Sequence, residues 1–326
     1  MRATALLFKL APCAGIALTA CSGHQSSLDA SSPQAGGITT LFWCFIAILA
    51  LVYCATMMAL ALALFRRRRV IGTPNLTRAV SAAVGITGII LLVLTGLSYR
   101  TQRDLYAVSG EPDVTVKVTG YQWWWDVRYE DKQPSRIFST ANELHLPVGR
   151  SVEIALTTGD VIHSFWVPGL FGKMDLINGV TNKIRFTPTK AGVLRGQCAE
   201  FCGFQHANMA LRVVVEPPAA FEKWRMRQEA PAGPPASPEG EKLFANKPCA
   251  SCHAVRGTRA AGRVAPDLTH LASRSHLAAG VLPNTRGALA AWIVDPQTVK
   301  PGSKMPAVEI SAEEIHPLLD YLEGLK

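Results

Sequence analysis

Hydrophobic and polar positions divide the chain into parts with different patterns. Residues 41–65 and 79–98 are uncharged apolar runs of about 25 and 20 residues, each long enough to cross a bilayer as a helix. After them, short β-rich runs alternate with glycine and proline, which is typical of a sandwich or barrel. These runs are Val114–Thr119, Ser151–Thr157, Lys183–Thr187 and Ala210–Val215. A proline-rich segment and a last part of about 85 residues follow, with a final helix predicted over Ser311–Leu325.

The N-terminal residues have the features of an export signal. Arg2 is followed by an apolar run to Ala20, which predicts a signal peptide over residues 1–20. The sequence Leu-Thr-Ala-Cys at 18–21 is similar to a bacterial lipoprotein cleavage box, in which Cys21 becomes the lipidated first residue. The alternative is an ordinary signal peptide that happens to contain Cys21. Residues 21–37 are predicted to be a tether and residues 38–103 a transmembrane hairpin.

Positive charge predicts the orientation of that hairpin and argues against nucleic acid as a partner. Four arginines, Arg66 to Arg69, lie between the two apolar runs, and positive loops stay on the cytoplasmic side. Everything after about residue 104 is therefore expected on the extracytoplasmic side of a bacterial plasma membrane. The net charge is +9, but residues 104–326 hold 24 bases and 23 acids, so the excess serves topology rather than nucleic-acid binding.

The end of the β-rich part carries a cluster of metal-binding residue types. Cys198, Cys202, His206 and Met209 lie within twelve residues, and His163 lies about 35 residues upstream. Two thiolates, imidazoles and a thioether form a soft donor set that suits copper. A disulfide between the cysteines is an alternative in an exported protein, but it leaves the histidines and the methionine unexplained. A Cys2His2 zinc site is the other alternative, and it has no use for Met209.

The last part contains a haem-attachment motif. A linker is predicted over residues 221–239, because four prolines lie among small residues at 229–239. The sequence Cys249-Ala-Ser-Cys252-His253 follows, which in an exported protein is the c-type haem motif with the histidine as one axial ligand. A redox-active Cys-x-x-Cys pair is the alternative interpretation.

The second axial ligand of the haem iron is argued by elimination. Met305 is the only methionine after Cys252, and His/Met ligation raises the potential of a haem that serves as an electron carrier. Three histidines, His270, His276 and His316, are the alternatives.

These motifs resemble a known family. The run from Cys198 to Met209, His163 and the aromatic segment Tyr121–Trp125 are similar to subunit II of the haem-copper cytochrome c oxidases, over residues 38–216. Residues 240–326 resemble class I cytochromes c, and the whole arrangement resembles the caa-type oxidases, whose subunit II carries its own cytochrome. The resemblance implies a multidomain fold of a two-helix transmembrane hairpin, an all-β cupredoxin-like barrel over 104–220 and an all-α cytochrome c domain over 240–326.

The resemblance also implies roles for individual residues. In that family, the residues matching Cys198 and Cys202 bridge a binuclear copper centre, and those matching His163 and His206 cap it. Met209 and the backbone carbonyl of Glu200 would complete the ligand set, and the Glu200 side chain would bind a magnesium ion at the boundary with subunit I. Trp123 matches the aromatic side chain through which electrons enter.

The function implied by the resemblance is electron relay. Electrons from cytochrome c or a similar donor would pass through haem c and the copper centre to the oxygen-reducing site of subunit I, with subunit III as a further partner. The alternatives are the corresponding subunit of a copper-containing nitric-oxide reductase and a free-standing redox carrier.

Overall fold

The computed structural model describes Gly23 and residues 25–65, 73–107 and 109–326. The predicted signal peptide, Cys21 and the arginines 66–69 lie outside the described residues. Contacts divide the chain into two units, of which residues 34–109 form one and residues up to 33 together with 110–326 form the other.

The smaller unit consists of two long helices. Helix α1 spans Pro33–Phe65 and helix α2 spans Thr73–Tyr106, and both are long and apolar enough to cross a membrane. Their leucines, isoleucines and valines are mostly exposed to the surroundings, as Leu51 and Leu92 show, and this suits helices whose outer face meets lipid. The helices extend a few residues beyond the predicted limits of 38 and 103. Proline is well tolerated as the first residue of α1, because that position needs no N–H donor.

The larger unit begins with a segment that packs on the β domain. The Ser31 amide donates to the Gly169 carbonyl oxygen at 2.7 Å, and the Ser31 carbonyl accepts from the Thr189 amide at 2.8 Å. The Ser32 hydroxyl donates to the Leu170 carbonyl oxygen at 2.5 Å. Ser31 and Ser32 are both buried. This part of the predicted tether therefore lies against the protein surface.

The β domain is a sandwich of two five-stranded sheets. The strand order is β3-β2-β1-β5-β8 in one sheet and β4-β10-β9-β6-β7 in the other. The β1–β5 and β10–β4 pairs are parallel and the other pairs are antiparallel. The strands are β1 Val114–Tyr121, β2 Trp124–Glu130, β3 Phe138–Ala141, β4 Glu143–Pro147, β5 Val152–Thr158, β6 His163–Trp166, β7 Met174–Leu176, β8 Asn182–Phe186, β9 Gly192–Cys198 and β10 Ala210–Glu216.

Alternation of side chains along the strands explains the sandwich. In β1, Val114, Val116 and Val118 are buried while the residues between them are not, as expected for a strand with one face on the core. The four predicted strand runs coincide with β1, β5, β8 and β10 to within a few residues. Ten strands form the sandwich in the described part of the chain, and the sequence pattern does not predict the other six.

The predicted linker over 221–239 is wrong in its first part. Helix α3 spans Pro218–Glu229 and packs on the sandwich through Phe221 and Trp224, both buried. The Trp224 ring stacks on the His145 ring, with centroids 4.1 Å apart and planes 7° apart. Burial of these aromatic rings explains why a helix forms here, and only the proline-rich residues after Glu229 are extended.

The cytochrome-like domain is made mainly of helices. Its helices are α4 Pro238–Asn246, α5 Cys249–Cys252, α6 Arg286–Val294, α7 Pro296–Val299 and α8 Ala312–Glu323, with a short hairpin of β11 His276–Leu277 and β12 Leu282–Pro283. Ser311 and Glu314 form a capping box at the start of α8, which satisfies amides that have no partner within the helix. Helix α4 crosses α8 at Gly240, where a β-carbon would clash with the Pro317 carbonyl. Small residues therefore allow the two helices to pack closely.

Candidate copper and haem sites

The predicted metal-binding residues of the β domain meet at one end of the second sheet. His163 is the first residue of β6, Cys198 is the last residue of β9, and the loop from β9 to β10 carries the others. The Sγ atoms of Cys198 and Cys202 are 3.7 Å apart, and His163 Nδ1 is 3.8 Å from Cys198 Sγ. On the other side, His206 Nδ1 is 3.6 Å from Cys202 Sγ.

The remaining predicted ligands complete this cluster. Met209 Sδ is 4.0 Å from Cys202 Sγ, and the Glu200 carbonyl oxygen is 3.2 Å from Cys198 Sγ. His163, Cys198, Cys202 and Met209 are buried. Their ligand atoms could surround a metal without large movements of the backbone, and the ligand atoms of His163, Cys198 and Cys202 lie within 4.8 Å of one another.

The donor set distinguishes between the three interpretations of the cysteines. A disulfide requires sulfur atoms about 2.05 Å apart, and the 3.7 Å separation leaves both thiols free. A single zinc ion takes four ligands, whereas six donor atoms converge here. Two thiolates, two imidazoles, a thioether and a carbonyl oxygen fit copper better than zinc.

Electrostatics prepare one of the two thiols for metal binding. The hydrogen bond between the two sulfurs lowers the pKa of Cys198, while the same bond and burial raise the pKa of Cys202. The Cys198 sulfur is therefore the more readily ionised of the two. A bound metal would displace thiol protons.

Asp160 holds the buried histidine in place. Its Oδ1 is 2.9 Å from His163 Nε2, so Nδ1 faces the sulfur atoms. Its Oδ2 accepts from the Gln122 amide at 2.7 Å. Partners of this kind fix the orientation of a ligand ring. The sequence motifs do not include Asp160, although an acid three residues before a candidate ligand is a usable signal.

The Glu200 side chain lies apart from the sulfur atoms. Its carboxylate is partly exposed and lies 3.8 Å from Lys173 Nζ. The structure thus places the carbonyl of Glu200 beside Cys198 Sγ and its carboxylate at the surface beside Lys173.

The three tryptophans of the aromatic segment have different surroundings. Trp123 is 8% exposed, and its Nε1 donates to the Cys202 carbonyl oxygen at 3.0 Å. Trp124 stacks on Tyr121, with ring centroids 4.9 Å apart. Trp125 is fully buried in the sandwich and contacts Phe165 edge to face. Trp123 is therefore bonded directly to the loop that carries the cysteines, while Trp125 packs in the core.

The haem motif lines a cavity of about 410 Å³, which is also lined by residues 121–124 of the β domain. Cys249, Cys252, His253 and Met305 all line it, together with apolar side chains. These apolar residues include Phe244, Val264, Leu268, Leu271, Leu277, Leu289, Trp292, Ile293, Leu318 and Leu322. His253 Nδ1 is 2.7 Å from the Pro266 carbonyl oxygen, which leaves Nε2 for a metal. Two thiols, an imidazole, a thioether and apolar walls fit a covalently bound haem.

The alternative axial ligands are placed less favourably. Both ring nitrogens of His270 are bonded to carbonyl oxygens, those of Lys326 and Ala230. His316 does not line the cavity. His276 does line it, and its Nδ1 lies 3.0 Å from the Ser275 hydroxyl. Met305 thus remains the predicted second axial ligand.

Fold and sites together define a class of protein. A cupredoxin-like sandwich with a soft metal cluster is joined to a cytochrome c domain, and two long apolar helices precede them, so the chain is a membrane-anchored redox protein.

Comparisons with known proteins give the family. The family model "Cytochrome C oxidase subunit II, periplasmic domain" matches residues 131–216, and the model "Cytochrome c" matches residues 237–326. "Cytochrome c oxidase subunit 2" of Alkalihalophilus pseudofirmus is 34% identical, over 95% of this chain and 94% of that protein. The Bacillus subtilis protein of the same name is 33% identical over 73% of this chain and 69% of its own length. The chain belongs to the cytochrome c oxidase subunit 2 family, and it is a subunit of an oxidoreductase.

A solved structure covers the β domain. The "periplasmic domain of subunit II of cytochrome oxidase (CoxB) of Bradyrhizobium japonicum" is 31% identical, with a TM-score of 0.35, over 37% of this chain and 97% of that one. The family models confirm the predicted succession of a copper domain and a cytochrome c domain.

Proposed function

We propose that this chain relays electrons into a terminal cytochrome c oxidase. Electrons from cytochrome c or a similar donor would pass through its own haem c and a binuclear copper centre to the haem-copper oxygen-reducing site in subunit I.

One observation carries this proposal: Trp123 belongs to both sites. Its ring lines the haem cavity, and its Nε1 donates to the carbonyl oxygen of Cys202 at 3.0 Å. A single side chain thus connects the two sites where electrons would be held. This supports Trp123 as the residue through which electrons enter the copper domain.

The copper centre would supply a one-electron carrier, and this chain's residues would hold it. Cys198 and Cys202 would bridge the two ions, with His163 and His206 as the outer ligands and Met209 and the Glu200 carbonyl completing the set. Burial of the thiols excludes water and limits rearrangement when the charge changes. Asp160 would keep the His163 ring in one orientation through the bond at Nε2.

The haem would be attached through Cys249 and Cys252 and ligated by His253 and Met305. The Pro266 carbonyl accepts from His253 Nδ1–H, which selects the tautomer whose Nε2 can bind iron. The apolar walls of the cavity would keep the haem out of water. Together with the methionine, this favours a high potential.

The remaining expectations extend this proposal to the assembled enzyme. Subunits I and III would be partners, a magnesium ion would bind the Glu200 carboxylate at the boundary with subunit I, and Cys21 would be lipidated. Both redox domains would lie on the extracytoplasmic side, because Arg66 to Arg69 lie between the two apolar helices.

The proposal is tested by optical and EPR spectra of the full-length chain, matured with haem and loaded with copper. We expect a c-type haem spectrum together with a mixed-valence two-copper signal. Cys202→Ser should abolish the copper signal and keep the haem spectrum, because it removes a bridging donor 3.7 Å from its partner sulfur. Cys54→Ser, in α1, is the matched control and should retain both.

Other outcomes would contradict the proposal in distinct ways. If the two-copper signal persisted in Cys202→Ser, Cys202 could not be a bridging ligand. A wild-type chain with haem but no such signal would leave the cluster as a zinc site. Purification with a partner that reduces nitric oxide and not oxygen would favour a nitric-oxide reductase, and purification with no haem-containing partner would favour a free carrier.

A further inference from the structure

The cytochrome domain is fixed to the copper domain at Trp123. The loop of residues 300–305, which ends in the predicted axial ligand Met305, lies over the indole ring. A β-carbon at Gly302 would lie 3.4 Å from Trp123 Cη2, an ordinary contact distance. Trp123 is 8% exposed. The position at which electrons would enter the copper domain is thus covered by the chain's own cytochrome domain.

Lys300 lies at the centre of this contact. It is 3% exposed, and its Nζ donates to the Trp123 carbonyl oxygen at 2.8 Å and to the Asn208 carbonyl oxygen at 2.7 Å. Its third bond goes to the Ala278 carbonyl oxygen at 2.8 Å. The first two acceptors belong to the copper domain and the third to the cytochrome domain. All three ammonium protons are therefore used, and they connect the two domains.

The buried position of Lys300 has an energetic consequence. Burial lowers the pKa of Lys300 to about 7, which reflects the cost of removing an ammonium group from water, while the charge of Cys202 acts in the opposite direction. Such a group is stable only where its hydrogen bonds are satisfied. Separation of the domains would remove the carbonyl oxygens of Trp123 and Asn208, so two of the three bonds of Lys300 exist only in the docked arrangement.

The hairpin opposite Lys300 is shaped for the same contact. Ala278 and Ala279 have φ values of 52° and 60°, in the left-handed region that non-glycine residues seldom adopt. The turn presents the Ala278 carbonyl to Lys300 and the Ala279 carbonyl to the Ala210 amide at 3.1 Å. Backbone strain of this kind persists where surrounding contacts hold it.

Two further contacts fix the ends of the loop. Gln205 Nε2 donates to the Pro301 carbonyl oxygen at 2.9 Å. Lys304 Nζ is 3.0 Å from Asp160 Oδ2, and the other oxygen of Asp160 bonds His163. The loop between Lys300 and Met305 thus touches the surroundings of both metal sites.

We infer that Lys300 is a positioning residue that locks the cytochrome domain onto the copper domain and so keeps the haem cavity against Trp123 for electron transfer within one chain. This inference rests on the proposed function. It adds that the two domains act as one docked unit and that the Trp123 surface is closed to an external donor.

The test compares Lys300→Met with Lys242→Met in the full-length chain loaded with haem and copper. Methionine keeps most of the side-chain length and removes the donors, and Lys242 is an exposed lysine of α4 in the same domain. Because three hydrogen bonds are lost, we expect amide exchange at Ala210 and in residues 276–283 to become at least about tenfold faster. Electron transfer from haem to copper, followed after photoreduction of the haem, should slow by about tenfold or more, with both metal spectra unchanged.

Lys300→Gln retains an N–H donor and should give intermediate exchange and transfer rates. It also keeps the test valid if Lys300→Met does not mature. If amide exchange and electron transfer in Lys300→Met were as fast as in Lys242→Met, the role of Lys300 would be overturned, while the proposed function would stand. A wild-type chain whose copper is not reduced after the haem would overturn the proposed function itself.

Discussion

At the scale of single residues, the cluster of cysteines, histidines and methionine depends on neighbouring groups outside it. Asp160 is the clearest case, because one oxygen bonds His163 Nε2 and the other accepts the Gln122 amide. Burial opposes ionisation of Asp160, but bonds from His163, Gln122 and Val161 outweigh it, and the pKa of Asp160 is lowered. The carboxylate therefore stays charged and keeps a fixed hydrogen-bond pattern beside the cluster.

Asp160→Asn should weaken copper binding. Loss of a carboxylate that orients a ligand histidine typically reduces metal affinity about 10- to 100-fold, and competition with a copper chelator would measure this. Glu153→Gln is the matched control, since Glu153 is an ion-paired acid of β5 bonded to Lys183 and Arg185. A copper affinity of Asp160→Asn equal to that of the control would show that the bond to His163 has no such role.

At the scale of elements, helix α3 and strands β4 and β10 form a second structural centre around His145. The ring lies 2.8 Å from Glu216 and 3.4 Å from Glu143, and it stacks on Trp224 of α3. Burial lowers the pKa of His145, but bonds to the two carboxylates outweigh burial, so the pKa is raised overall. The ring thus connects two strands and the helix that leads to the cytochrome domain.

The raised pKa of His145 predicts a pH dependence of stability. A group that binds its proton more tightly in the folded chain stabilises the fold fully below its unfolded pKa of about 6.5, and this contribution is lost as the pH rises through the folded pKa. His145→Gln should therefore destabilise the chain by on the order of 1–2 kcal/mol at pH 5.5 and by less at pH 9. Calorimetric unfolding at both pH values measures this.

His316→Gln is the control for this experiment. His316 is exposed on α8, so its replacement should change the unfolding temperature little at either pH. If the loss of unfolding free energy in His145→Gln were larger at pH 9 than at pH 5.5, the ion-paired role of the histidine would be contradicted.

At the scale of the whole molecule, two redox domains share one interface. Trp123 lies between the haem cavity and the cysteine loop and is covered by residues 300–305. A soluble donor cannot contact the Trp123 ring while this arrangement persists. Covalent tethering provides a high effective concentration of the internal donor, and the hydrogen bonds of Lys300 fix its orientation.

This arrangement predicts that haem c is obligatory for turnover with an external donor. Cys249→Ser together with Cys252→Ser removes the attachment sites of the haem. Turnover of the assembled oxidase with soluble cytochrome c should then fall at least about 100-fold, because a free protein donor lacks the high effective concentration of a tethered one. The two-copper EPR signal should remain, which shows that the copper domain is intact. Retention of most of the turnover alongside that signal would mean that Trp123 is open to the donor.

The order of the domains and the residues gathered at both sites follow from short stretches of the sequence. Cys198 to Met209 and Cys249 to His253 are local motifs, and their donors are brought together mainly by one loop or one helical turn. The apolar runs of the two long helices and the alternation in β1 are equally local, since they follow from the periods of helix and strand. For these features, nearby residues carry enough information.

The contact between the domains depends on residues that are far apart in the sequence. The sequence predicted a linker over 221–239, but Phe221 and Trp224 form part of a helix because distant aromatic rings and His145 cover them. Lysine is usually found at the protein surface. Lys300 is buried because its ammonium group donates to the carbonyl oxygens of residues 123, 208 and 278. The same holds for Asp160, Trp123 and Lys304, which are distant in the sequence and meet only in the folded chain. Backbone carbonyls are present at every position in any sequence, so only the folded chain shows which of them a buried cation will reach.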